Sequence, residues 1–427
     1  MQTPELTSPA GTLKNMRYAF AYGADAVYAG LPRYSLRVRN NDFLEKNLLI
    51  GIDEAHSVNK AFYLTCNLMP HGTKVKTFLA DLDPVIDMAP DALIMADPGL
   101  IMLARERWPD LPLHLSVQAN TVNSMAVRFW QQIGIKRIIL SRELSLDEVE
   151  EIRQQCPDVE LEVFVHGSLC IAYSGRCLLS GYFNRRDANQ GACTNSCRWE
   201  YQLGESDTGQ TRHPAADQLY YLEEKERPNE FMPITEDEHG TYIMNSKDLR
   251  AVEHVERLVR IGIDSLKIEG RTKSHYYAAR STQVYRQAID DAVAERPFNH
   301  NLMAELEGLA NRGYTNGFYQ RHPSEELQSY RHSSSRSLYQ VFVGEVLNQM
   351  EDGSALIEVK NKFALGDSLV LLTPTGNHPF VLNSLQDQNG NHMDEAPGAG
   401  YRVCLKLPAK AGEMGLIARI IETADPN

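Results

Sequence analysis

Four of the seven cysteines lie in one stretch, "CIAYSGRCLLSGYFNRRDANQGACTNSC", with the spacing C-x6-C-x15-C-x3-C from Cys170 through Cys177 and Cys193 to Cys197. Thiols so gathered serve as disulfides, as metal ligands, or as a nucleophile with neighbours. Zinc sites usually present two close pairs, and only Cys193 and Cys197 form one. Iron–sulfur clusters take four thiolates and tolerate irregular spacing. Gly167, Gly175, Gly181 and Gly191 would let backbone amides approach sulfide, and Arg176 and Arg198 would offset the charge of a thiolate-ligated cluster. Spacing alone favours a cluster and leaves zinc and unligated thiols open. Cys66, Cys156 and Cys404 stand apart and read as ordinary buried thiols.

Other chemistries find less support. There is no G-x-S-x-G elbow and no H-E-x-x-H pair. "DEAH" occurs at Asp53–His56, but without a phosphate-binding G-x-x-x-x-G-K-[ST] loop it is not an ATPase motif. The opening "MQTPELTSPAGTLKN" lacks the basic-then-apolar pattern of a secretory leader, and no apolar run approaches the ~20 residues that cross a bilayer. These features imply a cytoplasmic protein with no membrane partner, where thiols stay reduced and disulfides are the weakest explanation. Hydrophobic residues make up 43% and charged residues 23% of the chain, as in soluble globular proteins. The net charge of −13 means that a nucleic-acid partner requires a local basic surface.

The elements that must position these residues follow from periodicity. Eight short apolar runs are "ELTS", "AVYA", "FYLTCN", "ALIMA", "LHLSV", "RIILS", "EVFVH" and "SLKIE". Each is short enough for a buried strand. Between them lie amphipathic segments, with Leu13, Met16 and Phe20 at helical spacing, then Phe78, Leu82, Val85 and Ile86. Leu249, Val252, Val255, Leu258 and Val259 predict another helix face, in a helix that resumes at "NSKDLR". "SLDE" from Ser145 has the form of a capping box. Gly23, Gly134 and Gly262 each precede a strand by a few residues, a weak internal repeat. Eight such units predict a (β/α)8 TIM-type barrel over residues 1–330, with a doubly wound sheet as the second choice. Residues 170–245 form a cysteine-rich insertion after the seventh strand, too long for an ordinary βα loop. Beyond the serine-rich "RHSSSRS", residues 338–427 alternate strand patterns with turns and predict a small all-β domain.

A barrel of this kind does its chemistry at the C-terminal ends of its strands. That face receives Arg33, Arg37 and Arg39 after strand two, Gln118 and Asn120 after strand five, and Arg142 and Glu143 after strand six. His166 ends strand seven; Lys267 and Glu269 lie on strand eight, followed by Arg271 and Lys273. The insertion adds Arg176, Arg185, Arg186 and Arg198. Individual arginines often pair with nearby acids, but the set suits an anion-binding mouth, since guanidinium matches carboxylate and phosphate. His166 reads as a core histidine or a reacting one. Lys267 and Glu269 share a strand face, as an ion pair or an acid/base pair. Asp97 and Asp248 read as helix caps.

The segments "ELTSPAGTLKNMRYAFAYGADAVYAG", "LSVQAN", "ILSRELS", "FVHGSLCIAYSGRCLLSGY", "RDANQGACTNSCRWEY", "MNSKDL" and "LKIEGRTKS" resemble the collagenase-like peptidase family of unassigned mechanism. The resemblance covers essentially the whole chain. Members similar around the cysteines are RNA and ubiquinone hydroxylation proteins. The resemblance thus implies a [4Fe–4S] cluster on Cys170, Cys177, Cys193 and Cys197. It also implies a tRNA hydroxylase that forms 5-hydroxyuridine at the wobble position without O2. Prephenate would be the hydroxyl source and would bind among Arg33, Arg37, Arg39, Gln118, Asn120, Arg142 and Arg271. His166, Glu269 and Lys267 are then the catalytic candidates, and Arg185, Arg186 and Arg198 the candidate contacts to the tRNA backbone. A peptidase and a non-catalytic cluster-bearing scaffold are the alternatives.

Overall fold

The computed structural model describes residues 2–36, 41–169, 220–223, 231–237, 240–242, 247–311, 313–320, 340–412 and 414–421. The four clustered cysteines, Arg37, Arg39, Arg176, Arg185, Arg186, Arg198 and the serine-rich hinge lie outside these residues.

Eight parallel strands form the barrel: β1 (Glu5–Pro9), β2 (Ala26–Gly30), β3 (Ala61–Cys66), β4 (Ala92–Met95), β5 (Leu113–Leu115), β6 (Arg137–Ile139), β7 (Glu160–Ser168) and β8 (Ser265–Ile268). All eight predicted runs are strands. β8 pairs with β7 and with β1, which closes the sheet and excludes the doubly wound alternative. The helices that follow each strand are α1 (Leu13–Ala21), α2 (Glu45–Ser57), α3 (Gly72–Ile86), α4 (Pro98–Arg107), α5 (Ser124–Gln132), α6 (Leu146–Gln155), α7 (Val255–Ile261) and α8 (His275–Val293). A further helix, α9, spans Asn301–Glu307. Local chemistry sets the helix ends. Ser145 and Glu148 form the expected capping box on α6, Asp97 caps α4 through the Leu100 amide, and Gly262 ends α7 in the left-handed conformation.

The segment after the insertion departs from expectation. Asp248–Arg250 is a strand, antiparallel to β7 and parallel to Tyr314–Thr315. Leu249 is therefore not on a helix, and Asp248 is a buried strand residue rather than a cap. The end of β7 extends beyond the barrel rim, and its free edge recruits this segment before α7 begins. Within the insertion, Tyr220–Glu223, Phe231–Asp237 and Gly240–Tyr242 form a small antiparallel sheet.

The C-terminal region is all β, as predicted. Seven antiparallel strands, from Gln340–Gln349 to Leu416–Ile420, form one sheet with its own apolar core, which includes Val343, Ile357, Leu371 and Val403. Val370, Leu372, Leu416 and Ala418 turn the other way and join the barrel's hydrophobic core. Tyr22, just after α1, donates to the carbonyls of Leu372 and Met414 at this junction.

Candidate functional site

The barrel interior is unusually polar. In β1, β6, β7 and β8 the inward rows carry charge, β3 adds the Tyr63 hydroxyl, and these side chains find one another across the lumen. Arg137 bonds Glu5 at 2.5 Å, Glu160 at 2.8 Å and Glu162 at 3.2 Å. Lys267 bonds Glu162 at 2.6 Å, with side chains only 3% and 0% exposed. Tyr63 donates to Glu5, and Thr7 and Ser265 complete the layer. Burying these charges is tolerable because each has a partner. Burial pushes the Lys267 ammonium down, but Glu162 beside it favours the charged form. Burial likewise pushes the Glu5 carboxyl up, yet Arg137 with its hydrogen bond, helped by Tyr63 and Thr7, holds it below the usual carboxylate range.

This network lies beneath the mouth and is joined to it by Tyr28. The Lys267 ammonium sits 4.1 Å from the centre of the Tyr28 ring. The Tyr28 hydroxyl donates to the Ile268 carbonyl at 2.9 Å and lies 3.5 Å from Glu269 Oε2. Above it, Arg142 stacks 3.9 Å over the Phe164 ring, donates to the Ser168 carbonyl at 3.0 Å and approaches Glu269 at 3.6 Å. Arg271 completes the group. It lies 5.8 Å from the Tyr28 ring, donates to Ser35 at 2.7 Å and also bonds the Leu36 carbonyl. Gly30 makes room for it: a Cβ there would lie 2.1 Å from the Arg271 Nη1 and 2.6 Å from the Ser35 hydroxyl.

Of the residues predicted from sequence, Arg142, Arg271 and Glu269 therefore converge at the mouth, and Gln118 and Asn120 line the rim after β5. Three others have different surroundings. Lys267 belongs to the interior network, because its alternation on β8 aims it into the lumen at Glu162. Arg33 pairs with Asp81 of α3 at 2.6 Å and is half exposed, because the turn after β2 points it sideways rather than across the mouth. His166 is 1% exposed and packs against Tyr277 and Tyr285 of α8 and against Tyr314, at ring-centre distances of 5.8, 5.4 and 5.5 Å. An extra residue on β7 opposite the Lys267–Ile268 step shifts the alternation, so His166 does not follow Phe164 beneath Arg142. Burial lowers the His166 pKa to about 3, which keeps the ring neutral.

Sequence reasoning missed a collar of tyrosines. Tyr319, Tyr285, Tyr28 and Tyr277 donate to the carbonyls of Phe164, Val165, Ile268 and Glu269. They fasten the ends of β7 and β8, the two strands that deliver the cysteine segment and Glu269. Only Tyr28 carried a usable signal, an aromatic on an inward-facing strand position.

Among the described residues no group of three or more His, Cys, Asp or Glu side chains could hold a metal. Cys66 and Cys156 are buried, as expected, and Cys404 is partly exposed. Burial pushes the Cys66 thiol up to about 12, which makes it a poor nucleophile. The predicted ligands Cys170, Cys177, Cys193 and Cys197 lie outside the described residues, as do the predicted RNA contacts Arg185, Arg186 and Arg198. The last described residue before Cys170 is Leu169, buried one position beyond the carbonyl that Arg142 grips. No helix among the described residues is long and apolar enough to cross a membrane.

Comparison with known proteins adds a family. Residues 11–329 match the model of peptidase family U32, and residues 339–419 match the peptidase family U32 C-terminal domain. The chain is 59% identical over 428 residues to tRNA hydroxylation protein P of Escherichia coli, covering 96% of this chain and 94% of that one. It is 57% identical to tRNA hydroxylation protein P of Haemophilus influenzae, covering 95% and 93%. A more distant relative, named collagenase, from Porphyromonas gingivalis is 26% identical, covering 87% of each chain. An arginine–glutamate mouth on a closed barrel, the C-terminal sheet packed against that barrel and matches over nearly the whole chain lead to one assignment: the protein belongs to peptidase family U32.

Proposed function

We propose that this chain is a tRNA-modifying enzyme that hydroxylates the wobble uridine to 5-hydroxyuridine. The observation that carries the reading is the near end-to-end similarity to two proteins named for tRNA hydroxylation. The mouth is chemically consistent with it. Arg271 offers guanidinium donors to a small dicarboxylate such as prephenate, the proposed O2-independent hydroxyl source, with the positive charge of Arg142 beside it. Glu269, between Arg142 and the Tyr28 hydroxyl, is positioned to hold or move a proton at the bound acid. A base reaching this depth must be extruded from the anticodon stack. Arg185, Arg186 and Arg198 are the proposed backbone contacts.

Cys170, Cys177, Cys193 and Cys197 are the proposed ligands of a [4Fe–4S] cluster, a donor set of four thiolates that suits it. When bound, such a cluster supplies electron transfer or a Lewis-acidic iron. Anaerobically purified protein is expected to contain about four iron and four sulfide per chain. Stoichiometric zinc without sulfide would overturn this part of the reading.

The test of function is mass spectrometry of wobble nucleosides from a strain lacking the gene and lacking any redundant oxygenase. Loss of 5-hydroxyuridine derivatives, restored by the wild-type gene, is expected; unchanged levels refute the reading. The peptidase alternative rests on the family's name and on the collagenase relative. It predicts gelatin cleavage by the pure protein. Between described residues no serine, threonine or cysteine side chain is hydrogen-bonded to a histidine.

A further inference from the structure

Two different hydrogen-bonding demands meet at the mouth. Arg271 offers only donors, which suits an acid. The rim after β5 and β6 asks for something else. Gln118 Oε1 is buried there with no partner among the described residues, as are the Thr121 hydroxyl and Arg142 Nε. Thr121 is 1% exposed, so bulk water does not serve it. An unsatisfied buried polar atom costs about 1–3 kcal/mol, and several together at the functional end of a barrel point to a ligand that satisfies them. A carboxylate has no proton for Gln118 Oε1 and would have to turn that amide over to be bound, whereas a ligand with an N–H meets it as it stands.

The loop holds these groups in a fixed relation. The Ser116 hydroxyl accepts from the Gln118 amide at 3.4 Å and from the Asn67 side chain at 3.2 Å. The turn Val117–Ala119 ends at Asn120 in the left-handed conformation, φ 52° and ψ 53°, with its side chain donating to the main-chain carbonyl of Gln118 at 3.1 Å. The Ser141 amide then donates to the Thr121 carbonyl at 3.1 Å, which ties this loop to the residue preceding Arg142. An amide, a hydroxyl and a guanidinium N–H thus share one rim. Their complement is a planar imide, an N–H flanked by carbonyls. The N–H answers Gln118 Oε1, and the adjoining carbonyls answer Arg142 Nε and the Thr121 hydroxyl. Arg142 can only donate, so a ring amino group in place of the carbonyl is rejected.

We propose that Gln118, Thr121 and Arg142 form an imide-reading subsite that takes the hydrogen-bonding edge of a uracil-type base, beside the acid-binding Arg271. The inference rests on the tRNA reading above and deepens it. The test uses full-length, anaerobically purified protein and anticodon stem-loop RNAs with uridine, 3-methyluridine or cytidine at the wobble position, compared by competition binding. The uridine RNA should bind about tenfold more tightly than either of the others, the worth of one directed hydrogen bond. Gln118→Leu should bind all three alike at the weaker level. Equal affinities for the wild type, or a uridine preference that survives Gln118→Leu, overturn the subsite. The RNA comparison on wild type decides the matter even where the variant folds poorly. Failure of the subsite alone also shows as full restoration of 5-hydroxyuridine by Gln118→Leu in the deletion strain. Failure of the tRNA reading shows instead as unchanged nucleosides on deletion.

Discussion

Lys267 and Glu162 form a buried pair, and Glu162 keeps a second, longer contact of 3.2 Å to Arg137. Removing Lys267 takes away the nearer cation of a fully buried carboxylate, which costs up to about 3–5 kcal/mol. Lys267→Met is therefore expected to lose roughly that much stability in urea denaturation, and adding Glu162→Leu should recover most of it. A loss of activity in Lys267→Met without loss of stability would instead return Lys267 to the reacting groups. His166 gives a prediction with a sign. Its folded pKa is depressed to about 3, while an unfolded histidine titrates near 6.5. Between those values the unfolded chain binds the proton that the folded ring refuses, so stability falls as pH drops below about 6.5, by up to ~1.4 kcal/mol per unit. His166→Phe, which fits the tyrosine surroundings, should flatten that part of the stability–pH curve by about one proton. An unchanged slope would show that the ring accepts a proton in the folded state.

At the scale of elements, β2 and α6 offer separable tests. Gly30 ends β2 against the tip of Arg271, a flexible side chain rather than backbone. Gly30→Ala should therefore displace Arg271 at a stability cost of about 1 kcal/mol, within the usual range for point substitutions. It should nonetheless abolish wobble modification when the variant replaces the wild-type gene. Full modification in Gly30→Ala would mean that Arg271 is not needed at the mouth. Ser145→Ala removes the cap of α6, which lies three residues beyond Arg142 but bonds Glu148 rather than a group of the mouth, and thermal unfolding should report a loss of about 1 kcal/mol with modification intact. The contrast separates a residue that makes room for the site from one that only starts a helix.

At the scale of the whole molecule, the C-terminal sheet completes the barrel's exterior. Val370, Leu372, Leu416 and Ala418 sit in the same apolar core as α1 and α8. Glu345 locks the junction, bonding Lys14 at 2.6 Å and accepting from Tyr18 at 3.0 Å. A chain ending at residue 339 would expose this surface to water. It is expected to be insoluble or to melt well below the full chain, and the same melting temperature for both would show that the junction contributes nothing to stability.

The sequence by itself determined the barrel's eight strands, the caps of α4 and α6 and the character of the C-terminal sheet, because each follows from periodicity and chemistry within a few residues. It also marked the cysteine segment and the arginines and glutamate of the mouth. Only the tertiary structure decided which of those residues meet. Lys267 reaches Glu162 across 105 positions of chain, and Arg33 reaches Asp81 across 48. Neither pairing is encoded in local spacing, since it depends on how the strands close and how each turn aims its side chain. His166 and Leu249 differ from expectation for one reason: β7 carries an extra residue and runs past the rim, which changes the facing of the first and pulls the second into a strand. Closure of the sheet, not composition, therefore separates the residues of the mouth from those that hold the barrel together.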